Sequence, residues 1–293
     1  DVESLVEACE LSWVWSNPEQ ETFREDHVWK LFELSGRALD MPDVGLRAGA
    51  GFEVRDLGLF GKQLEANLTT FCCLREYIKT VNRYSSHSEF SLEQRDGGVW
   101  FCRRGIDLIE FGRAEVEQFA LELMIRIVQL GCGPSWAPRR VRIQQVEDRC
   151  YSQHPSFAGV ELRFGEPATA IWVSDSEQSK LIRWRDDEFT VRVRHYVQSQ
   201  IQESWPDVAA VAHQFGVSVR TIQRKLGDRG LDWSRLLDQV RLDHATKLLA
   251  SEMPICNIAH MLGYTDQANF GRAFRRWMGS TPNAYRKSTH ESE

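Results

Sequence analysis

A repeat near the carboxyl end constrains this chain more than any other feature. "VAHQFGVSVRTIQRKL", residues 211–226, reads as a helix, a glycine turn and a second helix, and "IAHMLGYTDQANFGRAF", residues 258–274, reads the same way. Ala212 and Gly216 correspond to Ala259 and Gly263 at a displacement of 47; beyond the turn, Ile222, Arg224 and Leu226 pair with Phe270, Arg272 and Phe274 at 48. A single outline of this kind arises often by accident, but two in series call for two copies of one supersecondary unit, the helix-turn-helix. Its helices cross steeply, so a small residue is expected at the crossing and a glycine at the turn, where a Cβ would push the helices apart. Pro206 suits the first helical position of the first copy and Ser218 the N-cap of its second helix, with Thr265 as the N-cap in the second copy. Phe270, Phe274 and Trp277 then share one stripe of a 3.6-residue period and point inward, leaving Gln267, Arg272 and Arg275 outside.

Between the copies, "LDWSRLLDQVRLDHATKLLASEMP" has the apolar spacing of one long amphipathic helix. About 17 residues at 1.5 Å each make a rod of roughly 25 Å, the order of length that sets two reading helices about one DNA turn, 34 Å, apart. The charge distribution fits such a partner although the total does not. The 293 residues carry a net charge of −6, yet from Thr190 onward there are 14 Lys and Arg against 10 Asp and Glu, so the excess of acid lies in the first part. Such asymmetry suggests a basic module that meets a polyanion. With 42% hydrophobic residues, the chain is long enough to bury more than one core.

The first part reads as α+β. "VESLVEACELSWVW" and "EDHVWKLFELSGRAL" have helical spacing, with Val28, Leu31, Phe32 and Leu39 on the inner face of the second. The glycines of "DVGLRAGAGFEVRDLGLFG" lack phosphate-loop spacing, so Gly45, Gly49 and Gly51 are read as close helix packing and turns. "TTFCCLREYIKTVNRY" is helical, and "SEFSLEQRDGGVWFCRRGID" is two alternating runs about Asp96-Gly97-Gly98, a hairpin. A helix in "RAEVEQFALELMIRIVQL" ends at Gly131 and Gly133, and "RRVRIQQV", "VELRFG" and "TAIWVSD" read as strands. These patterns set a regulatory domain over 1–175, a linker over 176–190 and a double helix-turn-helix domain over 191–293.

Catalytic and metal chemistry finds little purchase. The seven cysteines contain no C-x-x-C pair and fit a reducing compartment. No H-E-x-x-H or His/Cys spacing suggests a metal, and no cofactor is implied. No apolar run reaches the ~18 residues of a membrane span, and no charged-then-apolar leader opens the chain, so a cytoplasmic protein is expected. Cys72 and Cys73 lie in an apolar helical pattern and read as buried small hydrophobes. Trp13, Trp15, Trp29, Phe52, Phe60, Phe71, Tyr77, Trp100 and Phe101 are expected mostly in the core, and Arg47, Arg75 and Arg103 mostly on the surface, so the ligand-binding residues are left unassigned.

"VAHQFGVSVRTIQRKL", "RLDHATKLL" and "IAHMLGYTDQANFGRAFRRWMGSTPNAYR" together resemble the DNA-binding domain of the AraC/XylS family of bacterial transcription regulators, over about residues 198–286. In the closing "GSTPNAYR", Gly279 stops a helix, Thr281 caps the next, Pro282 takes its first position and Tyr285 packs it down. "VGLRAGAGFEVRDLGLFG" and "VELRFGEPATAIWV" resemble the arabinose-binding-type amino-terminal domain of one branch of that family. The resemblance implies a transcription regulator that binds double-stranded promoter DNA, with RNA polymerase and a small-molecule effector as partners, acting as a homodimer away from membranes. The competing reading is a DNA-targeted enzyme with a catalytic or alkyl-accepting amino-terminal domain. Matched to the family motif, Arg220, Gln223, Arg224, Gln267, Asn269 and Arg272 are the base-contacting candidates. Arginine suits guanine and Gln or Asn suits adenine. Ser218, Thr221, Lys225, Thr265, Arg275 and Arg276 are phosphate or orientation candidates. Ala268 and Gly271 stand where relatives often carry polar side chains, so the second helix is expected to read fewer bases, or a thymine methyl through Ala268.

Overall fold

The structure is a computed structural model that describes residues 2–16, 24–105, 111–147, 149–180, 182, 188–201 and 205–290. Asp96 and Gly97 both take positive φ, 60° and 71°, which gives a two-residue turn the twist that two antiparallel strands need. That turn joins β1 (Ser88–Arg95) to β2 (Gly98–Gly105). With β3 (Arg140–Ile143), β4 (Glu161–Phe164) and β5 (Thr169–Ser174) they form a sheet in the order β1-β2-β5-β3-β4. All neighbours are antiparallel except the parallel pair β3 and β4. Register places Phe101 opposite Ile171, and Ile171 opposite Val141, so one apolar row crosses the sheet, and all three residues are buried. On the other face Trp100, Cys102 and Ala170 cluster, with the guanidinium of Arg142 3.9 Å from the Trp100 ring and that of Arg140 4.0 Å from the Trp172 ring.

The helices of the first part of the chain are α1 (Val2–Ala8), α2 (Trp13–Ser16), α3 (Glu25–Leu39), α4 (Val44–Gly51), α5 (Leu59–Glu65), α6 (Thr70–Val81), α7 (Arg113–Cys132), α8 (Arg149–Gln153) and α9 (Asp175–Gln178). Gly45 and Gly49 let α4 cross α7 at backbone contact: a Cβ on Gly45 would lie 1.9 Å from the Glu115 carbonyl oxygen, and one on Gly49 2.5 Å from Glu122 Cβ. Gly51 has open space around it. The inward placement of Leu39 does not hold. It ends α3 and is exposed, because Asp40 turns the chain away in a left-handed conformation. Gly131 lies inside α7, with Thr70 against it, and Gly133 (φ 90°) is the residue that stops the helix.

The chain divides into two compact units. One comprises 1–53, 76–129 and 133–175; the other comprises 54–75, 130–132 and 176–293. Of the stretch 176–190, residues 181 and 183–187 lie outside the described residues.

The second unit continues with α10 (Glu188–Gln200), α11 (Val208–Gln214), α12 (Val219–Gly227), α13 (Trp233–Leu249), α14 (Ile255–Met261), α15 (Gln267–Met278) and α16 (Pro282–His290). It has two apolar cores threaded by α13. In the first, Val211, Ala212, Ile222 and Leu226 meet Leu236 and Val240 of α13, with Val193 and Val197 from α10. In the second, Ile258, Ala259, Phe270, Phe274 and Trp277 meet Leu242, Ala245 and Leu249. Residues 54–75 are part of this same packing: Ala66 belongs to the first core and Leu68 to the second. The hydroxyl of Thr69 donates to the Trp277 carbonyl at 2.5 Å, and the Cys72 thiol faces the carbonyls of Trp277 (3.2 Å) and Arg276 (3.4 Å). The last turn of α15 leaves carbonyls without helical partners, and these groups supply them.

Candidate nucleic-acid interface

Each helix-turn-helix is held by a cap, a left-handed glycine and a buried stripe. Ser218 caps α12 by accepting from the Thr221 N–H at 3.1 Å. In the second copy the cap is Asp266 and not Thr265: its carboxylate accepts from the Asn269 N–H at 2.7 Å, and the Thr265 hydroxyl donates to it at 3.2 Å. A carboxylate is the stronger acceptor and complements the helix dipole, so it displaces the neighbouring hydroxyl. At the start of α11, Asp207 is likewise the N-cap, accepting from the Ala210 N–H, which puts Pro206 one residue before the cap. Thr281 and Pro282 open α16 as expected, Gly279 (φ 75°) ends α15, and Tyr285 stacks edge-on with Phe274.

The turn glycines serve for a reason different from helix crossing. Gly216 (φ 62°) has nothing near its missing Cβ, so backbone conformation alone selects it. Gly263 (φ 78°) leaves room for the Trp205 ring, which would lie 2.5 Å from a Cβ. Trp205 packs against both cores, and the Arg241 guanidinium lies 4.7 Å over its ring. Sequence reading missed this wedge, whose one signal is a Trp directly before the Pro-Asp cap.

On α12, Ile222 and Leu226 are buried, while Arg220, Gln223 and Arg224 are exposed. Their spacing of three and four places them on one face. Thr221 is half-buried and bonded to Ser218 (Oγ–Oγ1 2.9 Å). Lys225 is half-buried, its ammonium 4.2 Å above the Phe189 ring.

On α15, Phe270, Phe274 and Trp277 are buried as read from their period. Gln267, Ala268, Gly271, Arg272 and Arg275 line a groove of about 340 Å³ together with Thr281 and Asn283. Asn269 is half-buried and does not line that groove. Arg276 is pulled toward α13, where Asp238 accepts from its guanidinium at 2.9 Å and from the Trp277 indole N–H at 3.1 Å. The structure thus gathers Arg220, Gln223 and Arg224 on one helix face and Gln267, Arg272 and Arg275 on another, and it sets Lys225 and Arg276 apart. Asp238, Asp266 and Trp205 are supporting residues that a search for exposed donors passes over.

The cysteine chemistry of the enzyme alternative finds no support in these surroundings. Burial pushes the Cys72 thiol up, against weaker opposing effects of Thr69, Arg75 and Arg276, whereas an alkyl acceptor needs the thiolate. Cys73 is fully buried. Among the described residues no three His, Cys, Asp or Glu side chains gather as a metal site would require, and no helix is long and apolar enough to cross a membrane.

Residues 1–178 match the family profile described as the arabinose-binding domain of AraC transcription regulator, amino-terminal, and residues 211–288 match a helix-turn-helix domain. The chain belongs to the AraC family of transcription regulators. It is 24% identical over 296 residues to the HTH-type transcriptional regulator VirS of Mycobacterium tuberculosis, covering 88% of this chain and 82% of VirS. It is 34% identical over 91 residues to the HTH-type transcriptional regulator VqsM of Pseudomonas aeruginosa, over 31% of this chain. With the ornithine utilization regulator of the same organism it shares 36% identity over 85 residues, 29% of this chain. These two matches span only 28% and 25% of the relatives' own length. Among solved structures, the transcriptional regulator CdpR from Pseudomonas aeruginosa aligns over 98% of this chain and 96% of its own, at 20% identity and a TM-score of 0.43. VirS, VqsM and the ornithine utilization regulator are all regulators by name.

Proposed function

We propose that the protein regulates transcription by binding promoter DNA sequence-selectively, with α12 and α15 each entering a major groove on successive turns of one duplex face. The observation that carries this is the matched build of the two helices, each with a fully buried stripe and an outward row of arginine and glutamine. Arg220, Gln223 and Arg224 read bases from the first helix, and Gln267 and Arg272 from the second with Asn269 beside them. Ser218, Thr221, Thr265 and Arg275 meet phosphates, with Lys225 and Arg276 following if their present partners release them. α13 has 17 residues, about 25 Å at 1.5 Å each, which suits the separation of two half-sites. The domain over 1–175 binds a small-molecule effector, which acts on DNA binding only through a different affinity for two states of the chain. A homodimer, contact with RNA polymerase and a cytoplasmic setting complete the reading.

Footprinting of the full chain on genomic fragments, with affinity measured across a salt series, tests it. The expected result is protection of two adjacent half-sites, with affinity falling steeply as salt rises because phosphate contacts release counterions. Arg224→Ala and Arg272→Ala should each weaken binding by roughly 1–3 kcal/mol. Footprints that both substitutions leave unaltered would overturn the site.

A further inference from the structure

Asn269 is the residue of the second reading helix whose side-chain amide already has partners at both its nitrogen and its oxygen. Its amide nitrogen donates to the Asp266 carboxylate at 2.6 Å and to the Thr265 hydroxyl at 3.0 Å. Its amide oxygen accepts from the Arg272 guanidinium at 2.6 Å. To read adenine, an asparagine must offer the oxygen and the nitrogen of its amide together to one base edge. Here both N–H bonds of the amide go to Asp266 and Thr265, which leaves no donor for the bidentate geometry, and the side chain is half-buried beside the groove that Arg272 lines. The anchor of the chain is a full charge: the backbone N–H of Asn269, then the Thr265 hydroxyl, the Ala268 backbone and the Arg272 charge hold the Asp266 carboxyl below its ordinary range.

We infer that Asn269 is a positioning residue, which relays the Asp266 anchor to the Arg272 guanidinium and aims it at a guanine, and does not itself read adenine. The inference rests on the proposed DNA-reading function and narrows it. In one half-site, guanine selection depends on two residues of which only Arg272 touches the base. A free arginine samples many rotamers, and each arrested bond lowers the cost of adopting the bidentate geometry that guanine O6 and N7 require. Gln267 takes no part in the relay and remains an independent reader.

The test is a base-preference profile of the full chain, measured on duplexes carrying every single-base change across the selected site, for the unmodified protein, Asn269→Ala, Arg272→Ala, the double variant and Gln267→Ala. Arg272→Ala identifies its own position by abolishing a guanine preference of roughly 5- to 150-fold. Asn269→Ala should lower that same preference severalfold while leaving every other position unchanged, and the double variant should match Arg272→Ala alone, since the two residues act in series. Gln267→Ala should flatten a different position. Loss of an adenine preference at a separate position in Asn269→Ala, or additive losses in the double variant, would overturn the inference while leaving the DNA-reading function intact. So would a uniform loss of affinity with the guanine preference preserved, since that marks a merely structural role. An unmodified protein with no base preference would overturn the function itself and the inference with it.

Discussion

Replacing Leu68 by alanine probes the packing of residues 54–75. Leu68 is 6% exposed and packs among Leu242, Leu249, Ile258, Phe274 and Trp277, nearly two hundred positions further along the chain. Its carbonyl also accepts from the Ile182 N–H at 3.0 Å, a bond that the substitution leaves in place. Leucine-to-alanine changes in well-packed cores cost about 2.7–5.0 kcal/mol, more where the surroundings cannot relax into the cavity. Leu68 lies in a buried, hydrogen-bonded loop between α5 and α6, and the lower part of that range, about 3 kcal/mol, is the least the change should cost. That is a little over two decades in the opening equilibrium of the second unit. Amide hydrogen exchange on the full-length chain reads this directly, since protected amides report the free energy of the unit that must open to expose them. Amides of Ile258, Phe270 and Phe274 should lose about two decades of protection, while those of Phe101 and Ile171 in the sheet stay as they are. Unchanged exchange in α14 and α15, or an equal loss in the sheet, would refute the assignment of Leu68 to the second core.

Two further outcomes follow from the same geometry. Gly263→Ala should cost more than Gly216→Ala: both accept left-handed strain of about 1–2 kcal/mol, but only the first also displaces the Trp205 ring. Denaturant midpoints of the two variants decide it, and equal losses would remove Trp205 from the explanation. Burial pushes the Glu122 carboxyl up, with Ser156 and Arg126 opposing more weakly. The folded state therefore keeps this proton to a higher pH than the unfolded chain does, and stability falls as pH rises from the ordinary carboxylate range through the raised value. Glu122→Gln should stabilise the protein at pH 8 and gain little at pH 4, as thermal unfolding at the two pH values will show; a gain independent of pH would contradict the shift.

Much of the fold is written locally. Asp96-Gly97 must turn tightly because few other residue pairs tolerate two positive φ angles, and Phe270, Phe274 and Trp277 must face inward because their period allows nothing else. Likewise the second helix-turn-helix announces itself through Gly263, Gly279 and the Thr281-Pro282 start. What stayed hidden depends on competition or on distance. Thr265 and Asp266 are both good caps one residue apart, and the apolar period behind them is compatible with either. The partner of Lys225, a ring 36 residues earlier at Phe189, leaves no trace in the spacing of either residue. For residues 54–75, nothing in "VRDLGLFGKQLEANLTTFCCLR" distinguishes a helix that packs on its sequence neighbours from one that completes a core two hundred residues away. The site was legible as a set of exposed donors, but their division into free readers and restrained ones required the positions of Asp238 and Asp266.

That long-range packing bears on how such a regulator can be taken apart. A gene fragment that begins at residue 176 would encode α10 to α16 yet leave out Ala66, Leu68 and the Thr69 hydroxyl, so both cores would open onto water, the second of them behind α15. Swapping readers between chains of this kind by exchanging carboxyl-terminal segments would then need a compensating graft of the short upstream stretch, and chimaeras made without it should be soluble poorly or bind weakly for a reason unrelated to the bases they recognise.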